Sequence, residues 1–387
     1  MCAAERKPLL DLPLKVILTE EGASYFISQK KKLLRFKLAD NREEHGILME
    51  NFAPQSLQNM IHIDYVSKLE ISLPEFVSKR QEIMDLSKIL VYSILYKQFD
   101  KEVVTRLLET DCVRRHNRNN PSQLLDEKTK ISDSILRTRM IGKDAIVNQA
   151  RRKILEPIWD SISQNNDYTP AEKNINLLMT EKFLNRLSIF CWYIIVKFFK
   201  TEGFDEMLSA IRKLLKEYME KTQIAEYIAL MVMELAMSSE NANIKKEAKN
   251  MYRGIEEQMV IFDPEIRQKI ITELERKHEL VYISWKIGGG STSIGKQGRI
   301  QITVYNKDDE FQEVKENIET KKSANVQKKS LIDFYRETPD GHEGSDLGMY
   351  YLSYLDEACK KVNVKFESLV NQFAMSDLTV INLIFNF

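Results

Sequence analysis

GSDLGMYYLSYLDEA, residues 344–358, is the stretch on which the reading of this chain turns. Gly344 and Gly348 flank Asp346 and Leu347, and an apolar helical run follows at once. Glycine lets a backbone approach closely and a helix start presents free amides, so the arrangement predicts a phosphate cradle that opens a helix. Downstream, VKFESLV reads as a strand, and LTVINLIFNF is a nearly all-apolar strand, buried on both faces or against a helix layer.

Upstream, residues 310–344 are charged and sparsely apolar, the composition of a lid over a ligand or of any solvated excursion. Before them, ELVYISWKIGG and RIQITVYNKDD alternate on either side of GGGSTSIGKQG, which predicts a β-hairpin with a long glycine-rich tip. That tip lacks the G-x-x-x-x-G-K-[ST] order of a phosphate loop and lies between strands. Asp263 and Pro264 start a short helix that leads into the hairpin. The segment from Asp205 to Arg253 reads as one long helix or two in tandem, with Met231, Met233 and Met237 as adaptable core packing.

From Pro74 onward apolar residues recur at three- and four-residue intervals, as in EFVSKRQEIMDLSKILVYSILYKQF and DKEVVTRLLETD, which predicts a helical bundle. CVRRHNRNNPSQ, residues 112–123, reads as an exposed basic loop, and Arg151, Arg152 and Lys153 as the wet face of an amphipathic helix. Thr169 and Pro170 read as the N-cap and first residue of another helix. LSIFCWYIIVKFF, residues 187–199, is a buried core helix, too short to cross a bilayer. Between Pro13 and Leu73 the runs KVILTEE, YFISQ, LLRFKLAD, HGILMEN and VSKLEISLP predict a small α+β unit with several strands. The expected organisation is therefore residues 1–75 as the α+β unit, 76–205 as the helical bundle region and 206–387 as a C-terminal α/β domain.

Composition narrows the function classes. The 387 residues carry 57 basic and 57 acidic side chains, so no global field favours nucleic acid or an anionic membrane. Cys2, Cys112, Cys191 and Cys359 form no CxxC pair, which argues against a disulfide framework and a zinc site and for a reducing cytoplasm. The first residues, MCAAERKPLLDLPLKVIL, are too interrupted by charge and proline for an export signal. There is no G-x-S-x-G elbow, H-E-x-x-H pair or Cys/His cluster. None of His45, His62, His116, His278 and His342 stands in a phosphoacceptor context.

Taken in order, the helix ending ELAMSSENAN, the hairpin, the polar lid, GSDLGMYYL and the closing strands resemble the ATP-binding domain of the histidine-kinase-like family, over about residues 211–387. The style is closest to bacterial anti-sigma serine kinases. The resemblance implies a mostly α chain with a C-terminal α/β sandwich, Bergerat-like, in which a helix layer covers a mixed sheet. It implies ATP and magnesium as cofactors, Glu234 as catalytic glutamate, Asn241 reaching magnesium and Asp308 at the adenine. Gly344, Leu347 and Gly348 match the glycine box, and Thr379 the closing strand.

Departures accompany the matches. Asp346 stands at the middle glycine, Ser238 takes the asparagine's place when the E-x-x-x-N box starts at Glu234, and NKDD after the hairpin has no glycine. The expectation is a fold retained and a pocket altered. The function expected is that of a cytoplasmic regulatory or signalling protein using this degenerate domain for protein interaction, with residual nucleotide sensing and a homodimer as one arrangement. The alternatives are an active ATP-dependent anti-sigma-type serine kinase or ATPase, and a helical scaffold. Neither nucleic acid nor a membrane span enters this reading.

Overall fold

The alternating runs near the two ends of the chain pair with one another. In a computed structural model, residues 9–126, 131–252, 263–288, 298–306, 329–330, 345–373 and 378–387 are described. Among them, nine strands form one sheet: β1 (Leu14–Leu18), β2 (Leu34–Lys37), β3 (Glu43–Met49), β4 (Val66–Leu73), β5 (Val281–Gly288), β6 (Arg299–Asn306), β7 (Lys329–Ser330), β8 (Lys365–Phe373) and β9 (Leu378–Asn386). Their order is β2-β3-β1-β4-β5-β6-β9-β8-β7. Every pairing is antiparallel, where the resemblance implied a mixed sheet.

The join lies between β4 and β5, where Leu69 pairs with Trp285 and Glu70 with Ser284. The strands of the first 75 residues thus extend the C-terminal sheet. Pairing β4 with β5 satisfies main-chain groups that an edge strand would leave open. Because side chains alternate across a strand, the register assembles two rows. Val16, Leu69, Trp285, Ile302 and Leu383 pair in succession as an apolar row, each fully buried. Lys15, Glu70, Ser284, Thr303 and Asn382 do the same on the other face as a polar row. Gly46 of β3 is required by close approach, since a Cβ there would collide with the Val16 carbonyl oxygen.

Contacts divide the chain into two compact units, residues 1–94 with 224–387, and residues 95–223. The sheet unit holds α1 (Glu20–Ser28) and α2 (Pro54–His62), and α3 (Arg80–Glu109) starts in it. YFISQ belongs mostly to α1 and is no strand: Thr19 caps that helix by accepting from the Gly22 amide at 3.1 Å, and Glu20 and Glu21 suit its N-terminal dipole. The helical unit holds α4 (Asp111–Asn119), α5 (Asp133–Met140), α6 (Asp144–Gln164), α7 (Pro170–Asn185), α8 (Ile189–Lys197) and α9 (Phe204–Lys221). The sheet unit resumes with α10 (Ile224–Met251), α11 (Pro264–Lys277) and α12 (Ser345–Lys361).

The expected basic loop at 112–123 is in fact α4 and a following turn. Of α4 only Val113 is buried, so the helix shows no apolar periodicity to read. Asn117 fixes the turn, accepting from the Leu125 amide at 2.9 Å and donating to its carbonyl at 2.8 Å. Other expectations hold. α9 and α10 are two helices; Thr169 and Glu172 form a reciprocal capping box with Pro170 at the first position of α7; and α8 is a buried core helix. Among the described residues no helix is long and apolar enough to cross a membrane.

Candidate functional site

Glu234, Ser238 and Asn241 recur at helical spacing on one half-buried face of α10. Burial pushes the Glu234 carboxyl above its ordinary value, and Arg80 at the start of α3 pulls against that shift. Asn241 has no side-chain hydrogen bond among the described residues. α12 packs against α10, and its first turn carries Leu347 and Gly348. Thr379, near the start of β9, pairs with Asn306 at the end of β6 and with Gln372 of β8. Asp308, Gly344 and most of the expected lid lie outside the described residues. The structure therefore brings the helix of Glu234 and Asn241 onto the helix of Leu347 and Gly348. It sets Thr379 across from the residue where β6 ends.

Toward ATP and magnesium, this face offers a carboxylate and an amide, both hard oxygen ligands. No group of three or more His, Cys, Asp or Glu side chains able to hold a metal occurs among the described residues. Magnesium at such a site would rest on one protein carboxylate, substrate phosphates and water, which is how that ion is commonly held.

A second face of α10 carries residues that sequence reasoning missed. Glu240 is fully buried. Its Oε2 accepts from the backbone amides of Phe76 at 2.6 Å and Val77 at 3.2 Å, and its Oε1 meets the Arg267 guanidinium of α11. Arg267 also reaches Glu75, with 3.2 Å between Nε and Oε1. One carboxylate thus ties together the entry to α3, α10 and α11. Burial pushes its carboxyl up, while the two amides and Arg267 act to lower it. One heptad further on, Glu247 pairs with Lys277 at 2.8 Å, beside the apolar contact of Ile244 and Ala248 with Ile270, Ile271 and Leu274. Two acids one heptad apart on an otherwise apolar stripe were the available signal. By habit such acids are read as a wet face.

The polar row of the sheet is equally closed on itself. Glu70, fully buried, pairs with Lys15 at 3.2 Å and accepts from the Ala39 amide at 3.1 Å. Asn382 Oδ1 accepts from Thr303 and Gln301, each at 2.9 Å. Burial raises the Tyr305 phenol, whose hydroxyl bonds Ser284 and Thr303. Trp285 differs, because its indole Nε1 is buried with no partner among the described residues. A buried donor of that kind is ordinarily satisfied by an internal water or a ligand.

An "Uncharacterized protein" of Treponema pallidum (strain Nichols) is 40% identical over 389 residues, covering 100% of this chain and 100% of that one. No solved structure matches the chain. The family model described as "Family of unknown function (DUF8084)" matches residues 5–387. The chain belongs to that family.

Proposed function

We propose that this is a cytoplasmic regulatory protein whose C-terminal half is a histidine-kinase-like module, used to engage a protein partner and to sense nucleotide without turning it over. The observation that carries the reading is the packing of α12 against α10 on a sheet that also contains the β5–β6 hairpin and the β8–β9 pair. Those are the elements on which the resemblance rests, and they share one sheet and one helix layer. Glu240 and Glu247, the two most deeply buried acids of α10, are consumed by internal ion pairs. Support for a protein partner of this half comes from Met251 at the end of α10 and Tyr354 of α12, apolar side chains 39% and 41% exposed.

The test is nucleotide binding and phosphate release by the full chain, with and without magnesium. The expected result is saturable binding of a fluorescent ATP analogue, weakened by Gly348→Trp, with no phosphate released above background. A second reading, an ATP-dependent serine kinase, is favoured by Glu234, whose carboxyl is raised in the direction a general base requires. Magnesium-dependent phosphate release abolished by Glu234→Gln would replace the first reading with the second. Absence of binding at about millimolar nucleotide would end both.

A further inference from the structure

The helical unit contains a cleft of about 300 Å³ between α6, the turn after it, α7 and α9. That volume is at the lower end of small-molecule sites. Its apolar lining comes from Ile158, Ile162 and Met219. Its charged lining comes from Lys216 and Glu220, one helical turn apart on α9. Among the described residues neither has an ion-pair partner, and they do not pair with each other. Lysine N-terminal to glutamate is the weaker orientation for such a helical pair, which leaves both heads available.

The cleft wall is held in place. Asn165 accepts from the Asp167 amide at 2.8 Å, Thr169 and Glu172 lock the start of α7, and Lys173 Nζ reaches the Ser163 carbonyl at 2.7 Å. This fixes the turn that presents Tyr168, which lines the cleft with Asn176. An exposed cation and an exposed anion about 6 Å apart along a helix, at the rim of a mixed cleft whose apolar lining is Ile158, Ile162 and Met219, match a small molecule bearing carboxylate, ammonium and a hydrocarbon branch. We infer that the cleft binds an apolar α-amino acid, with Lys216 taking the carboxylate, Glu220 the ammonium, and Ile158, Ile162 and Met219 the side chain.

The experiment is calorimetric titration of the full chain with L-leucine and L-methionine, alongside N-acetyl-leucine, which lacks the ammonium, and leucinamide, which lacks the carboxylate. Saturable binding of at least one free amino acid is expected, weakened about tenfold or more for either blocked compound. Lys216→Met and Glu220→Gln are surface changes that leave the fold intact, and each is expected to weaken binding to a similar degree. Circular dichroism melting of both variants confirms folding independently. The inference is overturned if neither amino acid binds at about 10 mM, if the blocked compounds bind as well as the free ones, or if folded variants bind unchanged.

Discussion

The helical unit and the sheet unit bury their interiors by different chemistry. In residues 95–223 the centre is aromatic. Phe183 meets Tyr96, Phe99 and Tyr218 edge to face, with ring centroids 4.8, 5.1 and 6.0 Å apart. In the sheet unit, full burial extends to Glu70 and Glu240, each held by basic side chains and backbone amides. Aromatic packing degrades gradually as atoms are removed, because the surroundings relax in part. A buried charge that loses its partner has no such recourse, since its desolvation cost remains. The sheet unit should therefore be brittle at a few polar positions, and the helical unit tolerant at many apolar ones.

The largest effect should follow Glu240→Ala, which strands Arg267 and the Phe76 and Val77 amides together. The expected loss is about 3–5 kcal/mol, read as lost amide hydrogen-exchange protection in α10 and α11. Replacing both ends of the pair, Glu240→Leu with Arg267→Met, should recover part of it, because an apolar pair escapes the desolvation cost. A loss for Glu240→Ala below about 1 kcal/mol would class the pair with surface bridges and remove the contrast between the units.

A smaller effect is expected for Phe183→Leu in the helical unit, about 1–3 kcal/mol. The measurement is urea unfolding followed through Trp159, whose indole donates to Thr180 of α7 at 3.0 Å. A loss as large as that of Glu240→Ala would show the aromatic centre to be as brittle as the buried charges.

What could be read from sequence follows the same division. Period and capping were legible in many elements with an apolar face, so α8, the Thr169 N-cap and Pro170 start of α7, the hairpin β5–β6, the helix α12 and the strands β8 and β9 were foreseen, whereas α1, part of which was read as a strand run, was not. The helix α4 was not, because it buries only Val113. The pairing of β4 with β5 was not either. Alternation fixes which face of a strand is buried but carries no information about which distant strand lies beside it. On the candidate site, Glu234 and Asn241 were picked out through two different registers of one motif; they stand seven residues apart on one face of α10, with Ser238 at the position where that motif would place its asparagine after Glu234. Glu240 and Arg267 belong to no motif, and their meaning appears only once the Phe76 amide is seen against the carboxylate.

The subtlest test uses the pH dependence of one acid in each unit, because Glu172 and Glu234 are shifted in opposite directions. In the helical unit Glu172 is lowered from 4.5, first by its hydrogen bond with the Thr169 hydroxyl and then by the Thr169 amide. A lowered group stabilises the folded state above its unfolded value, and that stability is lost as pH falls through the lower folded value. In the sheet unit Glu234 is raised from 4.5 by burial. Its contribution is fully present below 4.5 and is lost as pH rises through the higher folded value. Glu172→Gln should accordingly flatten the acid-side loss of protection in α7, and Glu234→Gln should flatten a decline in α10 as pH rises toward neutrality. Hydrogen exchange, normalised for the intrinsic pH dependence of amide rates, separates the two. The same sign of response in both helices would mean that burial at Glu234 is outweighed by Arg80, and that the face carrying Glu234 and Asn241 is an ion-pair surface with no raised acid.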